Sequence, residues 1–447
     1  MADARYDTQV PSKHALLGDK VHLPFSGRDA PSRFMKGAMT ERLSSWDQHD
    51  VKKRGVPSKG LIKVYEEWGK GGYGIILSGN TIINPVDLEA PGNPIMHRDL
   101  DTPDRAAAFE EMAKGAKAHG SLFITQLSHG GRQVASFVTK NPVSASDVKL
   151  EDRMGMQFEK PTPLTKEGIK GVIDDFAYAA KYAYDHGSDG IQLHCAHGYL
   201  LAQFLSSTTN KRTDEYGGDL HNRARILYET FKAVRAAVPD PKFILAIKIN
   251  SVEFQEGGFS SEDCRDVCHE LEKLKVDVIE LSGGTYEELA FSHKRESTKQ
   301  REAFFLEFSD IIRKGLSEPG KGSTIWVTGG FRTAKAMIEA ITNGSTQGIG
   351  LARPATDEFD LPNLLIQGKV PSSRKTLFDE NDFGITNMAA GTQIRQVANG
   401  QKPFNVTDPK QVEEFKQVAG KAMQDMGAAL QKGIVPAGYP DFIPASA

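Results

Sequence analysis

The chain has 447 residues, and its 55 basic against 58 acidic side chains leave a net charge of -3 at pH 7, a balance that argues against nucleic acid or an anionic membrane as the main partner. No apolar run reaches the roughly 18 to 20 residues of a spanning helix. MADARYDTQV at the start has no apolar signal core and PASA at the end is no recognisable address, so a cytoplasmic protein acting on small molecules is expected.

Short β-like runs recur in chain order: RFMK (33–36), GIILS (74–78), LFITQL (122–127), GIQLH (190–194), FILAIKI (243–249), DVIEL (277–281), TIWVT (324–328) and QGIGL (347–351). Most are apolar on both faces, as parallel strands covered on both sides require. Amphipathic segments lie between them, at 168–186, 221–237, 260–274 and 332–342. In the first, Ile173, Phe176, Ala177, Ala180 and Ala183 recur at helical spacing. Strand then helix, eight times over, predicts an α/β fold, a (β/α)8 TIM barrel. Gly348 and Gly350 echo a dinucleotide fingerprint, but the third glycine is missing and the signal is weak.

Two excursions are expected at the C-terminal face of the barrel, over 133–167 with Pro142, Pro161 and Pro163, and over the polar stretch 283–300. From about 375 onward the tail reads as mostly helical. The expected organisation is a barrel over 20–370 and a helical C-terminal extension over 371–447, packed on the barrel or on a partner subunit of a homo-oligomer. Cys195, Cys264 and Cys268 form neither a disulfide framework nor a CxxC site. The four-residue spacing of Cys264 and Cys268 reads as one buried helix face.

In such a barrel, polar residues at strand C-termini converge on one mouth. Strand one ends at Gly37, Ala38, Met39 and Thr40; strand two at Ser78, Gly79 and Asn80; strand three carries Gln126. Strand four ends in His194, His197 and Tyr199, and strand five carries Lys248 and Asn250. Strand seven runs into Gly329 and Gly330, and strand eight into Ala352 and Arg353. The glycines before a helix start expose N–H groups to an anion, and Arg353 adds a bidentate phosphate donor, although Gly329-Gly330 also reads as a plain tight turn. Lys248 is costly to bury alone, so it faces either a ligand or an internal acid. Gln126 either meets a ligand or satisfies backbone groups.

His194 and His197 could be metal ligands, structural imidazoles or hydrogen-bond donors to an organic ligand. No HxH pair, nearby acid or third histidine accompanies them, so no metal is expected. Paired imidazole donors suit a substrate oxygen that gains negative charge, and a tyrosine two residues on can act as an acid.

Together these residues resemble the Old Yellow Enzyme family of FMN-dependent ene-reductases and NAD(P)H:flavin oxidoreductases. The resemblance rests on HCAHGYLLAQFLSSTTNKRTDEYGGDLHNRARILYE at 194–229, with ITQLSHGGRQ at 124–133, REAFFLEF at 301–308 and the TGGFRT and GLARP blocks in support. It implies non-covalent FMN across the barrel mouth and NAD(P)H as electron donor. Gly37, Ala38, Met39 and Thr40 would line the flavin, with Thr40 near its O4. Asn80 would belong to the same pocket. Gln126 would bond the pyrimidine edge, and Lys248 would sit by N1 and O2. Gly329, Gly330 and Arg353 would hold the phosphate, with Ala352 also in the cofactor pocket. His194 and His197 would grip the carbonyl oxygen of an enone, and Tyr199 would protonate its α-carbon. An NAD(P)H oxidase or quinone reductase with no physiological enone is the alternative. Many members have proline at Ala38, arginine at Lys248 and glycine at Ala352; lysine keeps the charge but loses the fork. Arg212, Asp214, Asn222 and Arg223 are expected to tie the long block to the helix that follows.

Overall fold

The computed structural model describes residues 3–153, 155–253, 256–282 and 298–445, with side chains in the helix from 298 described beyond 305. The predicted excursion 283–300 falls largely outside the described residues, as do the side chains of 301–305 in the REAFFLEF block.

Eight parallel strands close on themselves: β1 (Phe34–Lys36), β2 (Ile75–Leu77), β3 (Leu122–Ser128), β4 (Gly190–Cys195), β5 (Ile244–Asn250), β6 (Val278–Ser282), β7 (Thr324–Thr328) and β8 (Gly348–Leu351). Each pairs in parallel with its successor, and β8 returns to β1 through Gly350 opposite Met35. Between them run α1 (Lys59–Gly69), α2 (Pro103–Lys117), α3 (Lys166–Asp185), α4 (Arg225–Ala237), α5 (Ser261–Lys273), α6 (Thr298–Arg313) and α7 (Ala334–Thr342), and α8 (Leu361–Ile366) follows β8. This is the (β/α)8 barrel expected.

Local chemistry sets the helix starts. Ser58, Thr165 and Thr333 accept from backbone N–H groups in the first turns of α1, α3 and α7, and Ser260 with Asp263 forms a capping box on α5. The segment expected as one helix over 221–237 is two pieces, Leu220–Arg223 with Asp219 as its cap and α4, which meet at Ala224. Cys264 and Cys268 share a fully buried face of α5, Sγ atoms 3.9 Å apart.

Two apolar layers result. One lies between strands and helices. The other fills the barrel with Met35, Ile75, Leu122, Ile244, Val278 and Trp326. A hairpin of Val21–Leu23 against Arg28–Ala30 plugs the lower end, its Phe25 and Ser26 N–H groups donating to Asp277 Oδ1 at 2.9 and 3.1 Å. The glycines of β8 are packing requirements. A Cβ at Gly348 would meet the Trp326 ring at 2.1 Å, and one at Gly350 would meet Thr328 Oγ1 at 1.7 Å.

Beyond the barrel, α9 (Phe383–Ala398) and α10 (Pro409–Gln431) share a small core of Phe378, Phe404, Phe415 and Phe442. The chain then turns back onto the loop after β1. Trp46 Nε1 donates to Val435 O at 3.0 Å, Gln48 Nε2 to Gly433 O at 2.9 Å, and the Arg42 guanidinium lies 4.9 Å from the Tyr439 ring centre. Among the described residues no helix is long and apolar enough to cross a membrane.

Candidate active site

The end of β4 gathers three rings. His194 is 4% and Tyr199 5% exposed; the His194 ring lies 5.3 Å from that of His197 and 4.7 Å from that of Tyr199, edge-on to both. The gathering depends on a strained turn: His197 has φ of +58° and Gly198 of +78°. A left-handed conformation at a non-glycine residue costs about 1–2 kcal/mol. It is held by the His197 N–H donating to Asn250 Oδ1 at 3.1 Å and by its carbonyl accepting from Gln133 Nε2 at 2.9 Å.

The imidazoles are fixed and neutral. His194 Nδ1 accepts from the Ala196 N–H at 3.3 Å, which leaves the ring proton on Nε2. His197 Nε2 lies 2.8 Å from Ser282 Oγ. Burial, with His197 and Lys248 adding to it, holds the His194 pKa well below the usual imidazole range. Burial and Lys248 push His197 down to about 3. Both rings therefore offer N–H donors without positive charge at neutral pH.

Beneath them a polar chain crosses the barrel interior. Glu280 Oε2 accepts from Gln192 Nε2 at 2.8 Å, and Gln192 Oε1 accepts from Gln126 Nε2 at 2.7 Å. Lys248 Nζ stands 3.1 Å from Glu280 Oε1, a charge contact without aligned hydrogen-bond geometry, since that oxygen has no hydrogen-bonded partner. Gln126, Gln192 and Glu280 are 0% exposed and Lys248 5%. The Gln126 carbonyl oxygen is among the buried atoms left without a hydrogen-bond partner, as are Asn250 Nδ2 and Thr328 Oγ1, and Lys248 Nζ, with its contact to Glu280, keeps N–H donors for a ligand. Lys248 thus has the internal acid that the sequence left open, and Gln126 bonds a side chain in place of backbone.

At the β1 end, the Gly37 N–H donates to Leu351 O at 2.8 Å, and Ala38, Met39 and Thr40 are half-buried. Thr40 Oγ1 donates to Glu89 Oε2 at 3.1 Å. Asn80 is buried after β2. A second buried charge cluster fixes this edge: Lys36 Nζ to Glu41 Oε1 at 3.1 Å, the Tyr65 hydroxyl donating to the same oxygen at 2.8 Å, and a Gly79 N–H donating to Tyr65. Sequence reasoning passed over Lys36, Glu41, Glu89, Gln192 and Glu280.

At the ends of β7 and β8, Gly329, Gly330, Ala352 and Arg353 are half-buried neighbours, with Gly330 in a left-handed turn at φ +76°. Arg353 Nη1 donates to Thr386 Oγ1 at 2.9 Å and to Glu380 O at 3.3 Å, so α9 reaches this corner. Arg332 pairs with Glu380 at 2.8 Å. In the long block, Arg212 pairs with Asp214 and donates to Ala145 O and Leu164 O, and Arg223 donates to Leu205 O, so these two tie back to preceding segments, while Asn222 meets the following helix by accepting from Arg225 Nη2.

The sequence profile of the NADH:flavin oxidoreductase / NADH oxidase family matches residues 31–370, the whole barrel. The chain belongs to this family, that of Old Yellow Enzyme. It is a flavin-dependent oxidoreductase. It is 40% identical over 410 residues to the NADH-dependent flavin oxidoreductase nadA of Aspergillus parasiticus, covering 90% of each chain. It is 34% identical over 362 residues to the NADH-dependent flavin oxidoreductase iccE of Talaromyces variabilis, covering 76% of this chain and 84% of that one. Among solved structures it resembles morphinone reductase, with a TM-score of 0.65 at 22% identity over 80% of this chain and 91% of that one. The old yellow enzyme homologue of Zymomonas mobilis gives 0.65 at 22% identity, over 88% and 98%.

The residues present fit the cofactor the family implies. A flavin's pyrimidine edge alternates carbonyl acceptors with an N–H donor, and the unspent Gln126 oxygen and Lys248 donors complement that alternation. Gly37 sits tight against β8, where an added Cβ would stand 3.3 Å from Leu351 O.

Proposed function

We propose that the protein uses NAD(P)H to reduce the C=C bond of an α,β-unsaturated carbonyl, with non-covalently bound FMN. The observation that carries this reading is the convergence of His194, His197 and Tyr199 on one strand end, with Lys248 beside His194 in register and Gln126 beside Gln192, two residues before His194 on β4. Gln126 and Lys248 would hold the pyrimidine edge; Gly37, Ala38, Met39, Thr40 and Asn80 would line the ring; Gly329, Gly330 and Arg353 would hold the phosphate, with Ala352 also in the cofactor pocket. Bound FMN supplies a two-electron carrier between the nicotinamide and the enone. The chain's own residues do the rest. His194 and His197 donate to the enone oxygen as negative charge develops there, and as neutral donors held in place they need no reorganisation. Tyr199 gives its phenolic proton to the α-carbon. The turn at His197 presets this arrangement.

A second reading is an NADH oxidase or quinone reductase without a physiological enone. It is favoured by 29% identity over 325 residues to the NADH oxidase of Thermoanaerobacter brockii, although the chain spans only 48% of that protein. Anaerobic titration with NADH and NADPH, followed by reoxidation with cyclohexenone, a quinone or oxygen, separates them. The ene-reductase reading requires a flavin spectrum bleached by the nicotinamide and restored by the enone. Restoration only by quinone or oxygen overturns it.

A further inference from the structure

Glu280 lies in the middle of an otherwise apolar strand and is fully buried. A lone carboxylate there would be strongly disfavoured. Its two oxygens serve different partners. Oε1 stands against the Lys248 ammonium, and Oε2 accepts from Gln192. An ionised carboxylate can only accept, so Gln192 must turn its NH2 toward Glu280 and its oxygen toward Gln126. Gln126 must then spend its own NH2 on Gln192 and leave its carbonyl oxygen facing away. One acid thereby dictates the orientation of two amides. A second buried lysine, Lys36, lies over the Tyr65 and Trp68 rings of α1 and has its own acid in Glu41, so Glu280 and Lys248 form a separate pair.

We propose that Glu280 is a positioning residue for the flavin reaction: its carboxylate offsets the charge of Lys248 and, through Gln192, fixes the Gln126 carbonyl as the group presented to the cofactor. The proposal rests on the reading that the flavin's pyrimidine edge lies against Gln126 and Lys248. Paired with Glu280, Lys248 presents donors with little net charge. Unpaired, it would favour whichever flavin state carries more negative charge, the reduced one.

The experiment is the midpoint potential of the FMN-loaded protein, by anaerobic equilibration with a reference dye, in wild type, Glu280→Gln, Lys248→Met and Gln192→Leu. Glu280→Gln keeps the shape and removes the charge. It is expected to raise the ratio of reduced to oxidised flavin at a fixed potential by about tenfold or more, which is about 30 mV for a two-electron couple. Lys248→Met should lower it. Gln192→Leu keeps both charges and cuts the link to Gln126; it should weaken FMN binding to the apoprotein by about threefold to tenfold while moving the potential less than Glu280→Gln does. A shift with Lys248→Met but none with Glu280→Gln overturns the role of Glu280 and leaves the flavin placement standing. No shift with either places the pyrimidine edge elsewhere and overturns the underlying reading. If Glu280→Gln fails to fold, Gln192→Leu carries the test, and unchanged FMN affinity in that variant overturns the proposal.

Discussion

His197 on the β4 turn reaches across the barrel mouth to Ser282 at the end of β6, Nε2 to Oγ at 2.8 Å. With the Ser282 hydroxyl as donor, the ring proton sits on Nδ1 and His197 has that N–H to offer; with the opposite tautomer the Nε2–H is spent on Ser282. With His194 carrying its proton on Nε2, the Nδ1–H tautomer of His197 gives each ring one N–H for a substrate oxygen.

Phenols place an oxyanion where the enone oxygen would develop charge. His194→Ala and His197→Ala should each weaken binding of a para-substituted phenol by about tenfold or more, the loss of one hydrogen bond to a charged group. The long-wavelength band expected when the phenolate stacks on oxidised flavin gives the readout. Two variants that bind the phenol as tightly as wild type would make the histidines structural.

His194 is buried and His197 half-buried, and both have pKa values below that of the unfolded chain. Between about pH 6.5 and 3 the unfolded chain binds protons that the folded site refuses, so stability falls as pH drops through that window. His129 is depressed by burial in the same sense. Chemical denaturation at pH 7.5, 6 and 5 should show this loss, and it should be smaller in His197→Gln. An equal loss in the variant would place the acid sensitivity elsewhere.

Arg353→Ala should raise the FMN dissociation constant by roughly tenfold or more, since a charge-assisted contact to phosphate contributes about 1.5–3 kcal/mol. Arg353 also bonds Thr386 and the Glu380 carbonyl, so apoprotein melting is measured alongside. A lower melting point with unchanged FMN affinity would make Arg353 a tie to the extension only.

Gly391 sits inside α9, where alanine would normally stabilise by about 1 kcal/mol. An added Cβ would stand 2.3 Å from the Tyr439 ring, which is backed by the Arg42 guanidinium. Overpacking costs about 1–3 kcal/mol and should prevail, so Gly391→Ala should lower the melting temperature. A rise would show that the returning C-terminal segment packs elsewhere.

The barrel was legible because its strands are buried on both faces, and each expected run lies within one residue of an observed one at either end. The rings of β4 were legible because one turn carries all three. The Gln126–Gln192–Glu280–Lys248 chain was not, although each residue stood in a recognised strand. Gln126 and Gln192 are 66 residues apart, and only register sets them side by side, as it sets Lys248 beside Glu280. Gly348 and Gly350, discounted as a dinucleotide fingerprint, have the same kind of explanation: what demands glycine there is the side chains of Trp326 and Thr328 on the neighbouring strand. The reach of Thr386 to Arg353 depends on how the extension folds back, which no local pattern encodes.

The most direct test of the proposed chemistry is Tyr199→Phe, followed through both half-reactions by stopped flow. The change removes one hydroxyl and keeps the buried ring. Reduction by NADH needs no proton from this residue and should run near the wild-type rate. Reoxidation by cyclohexenone needs a proton at the α-carbon and should slow by about 10²–10⁴-fold, the usual contribution of a positioned acid, while a quinone, which takes protons from water at oxygen, is largely spared. Unimpaired reoxidation by the enone, or equal losses in both half-reactions, would contradict the assignment of Tyr199 as the proton donor.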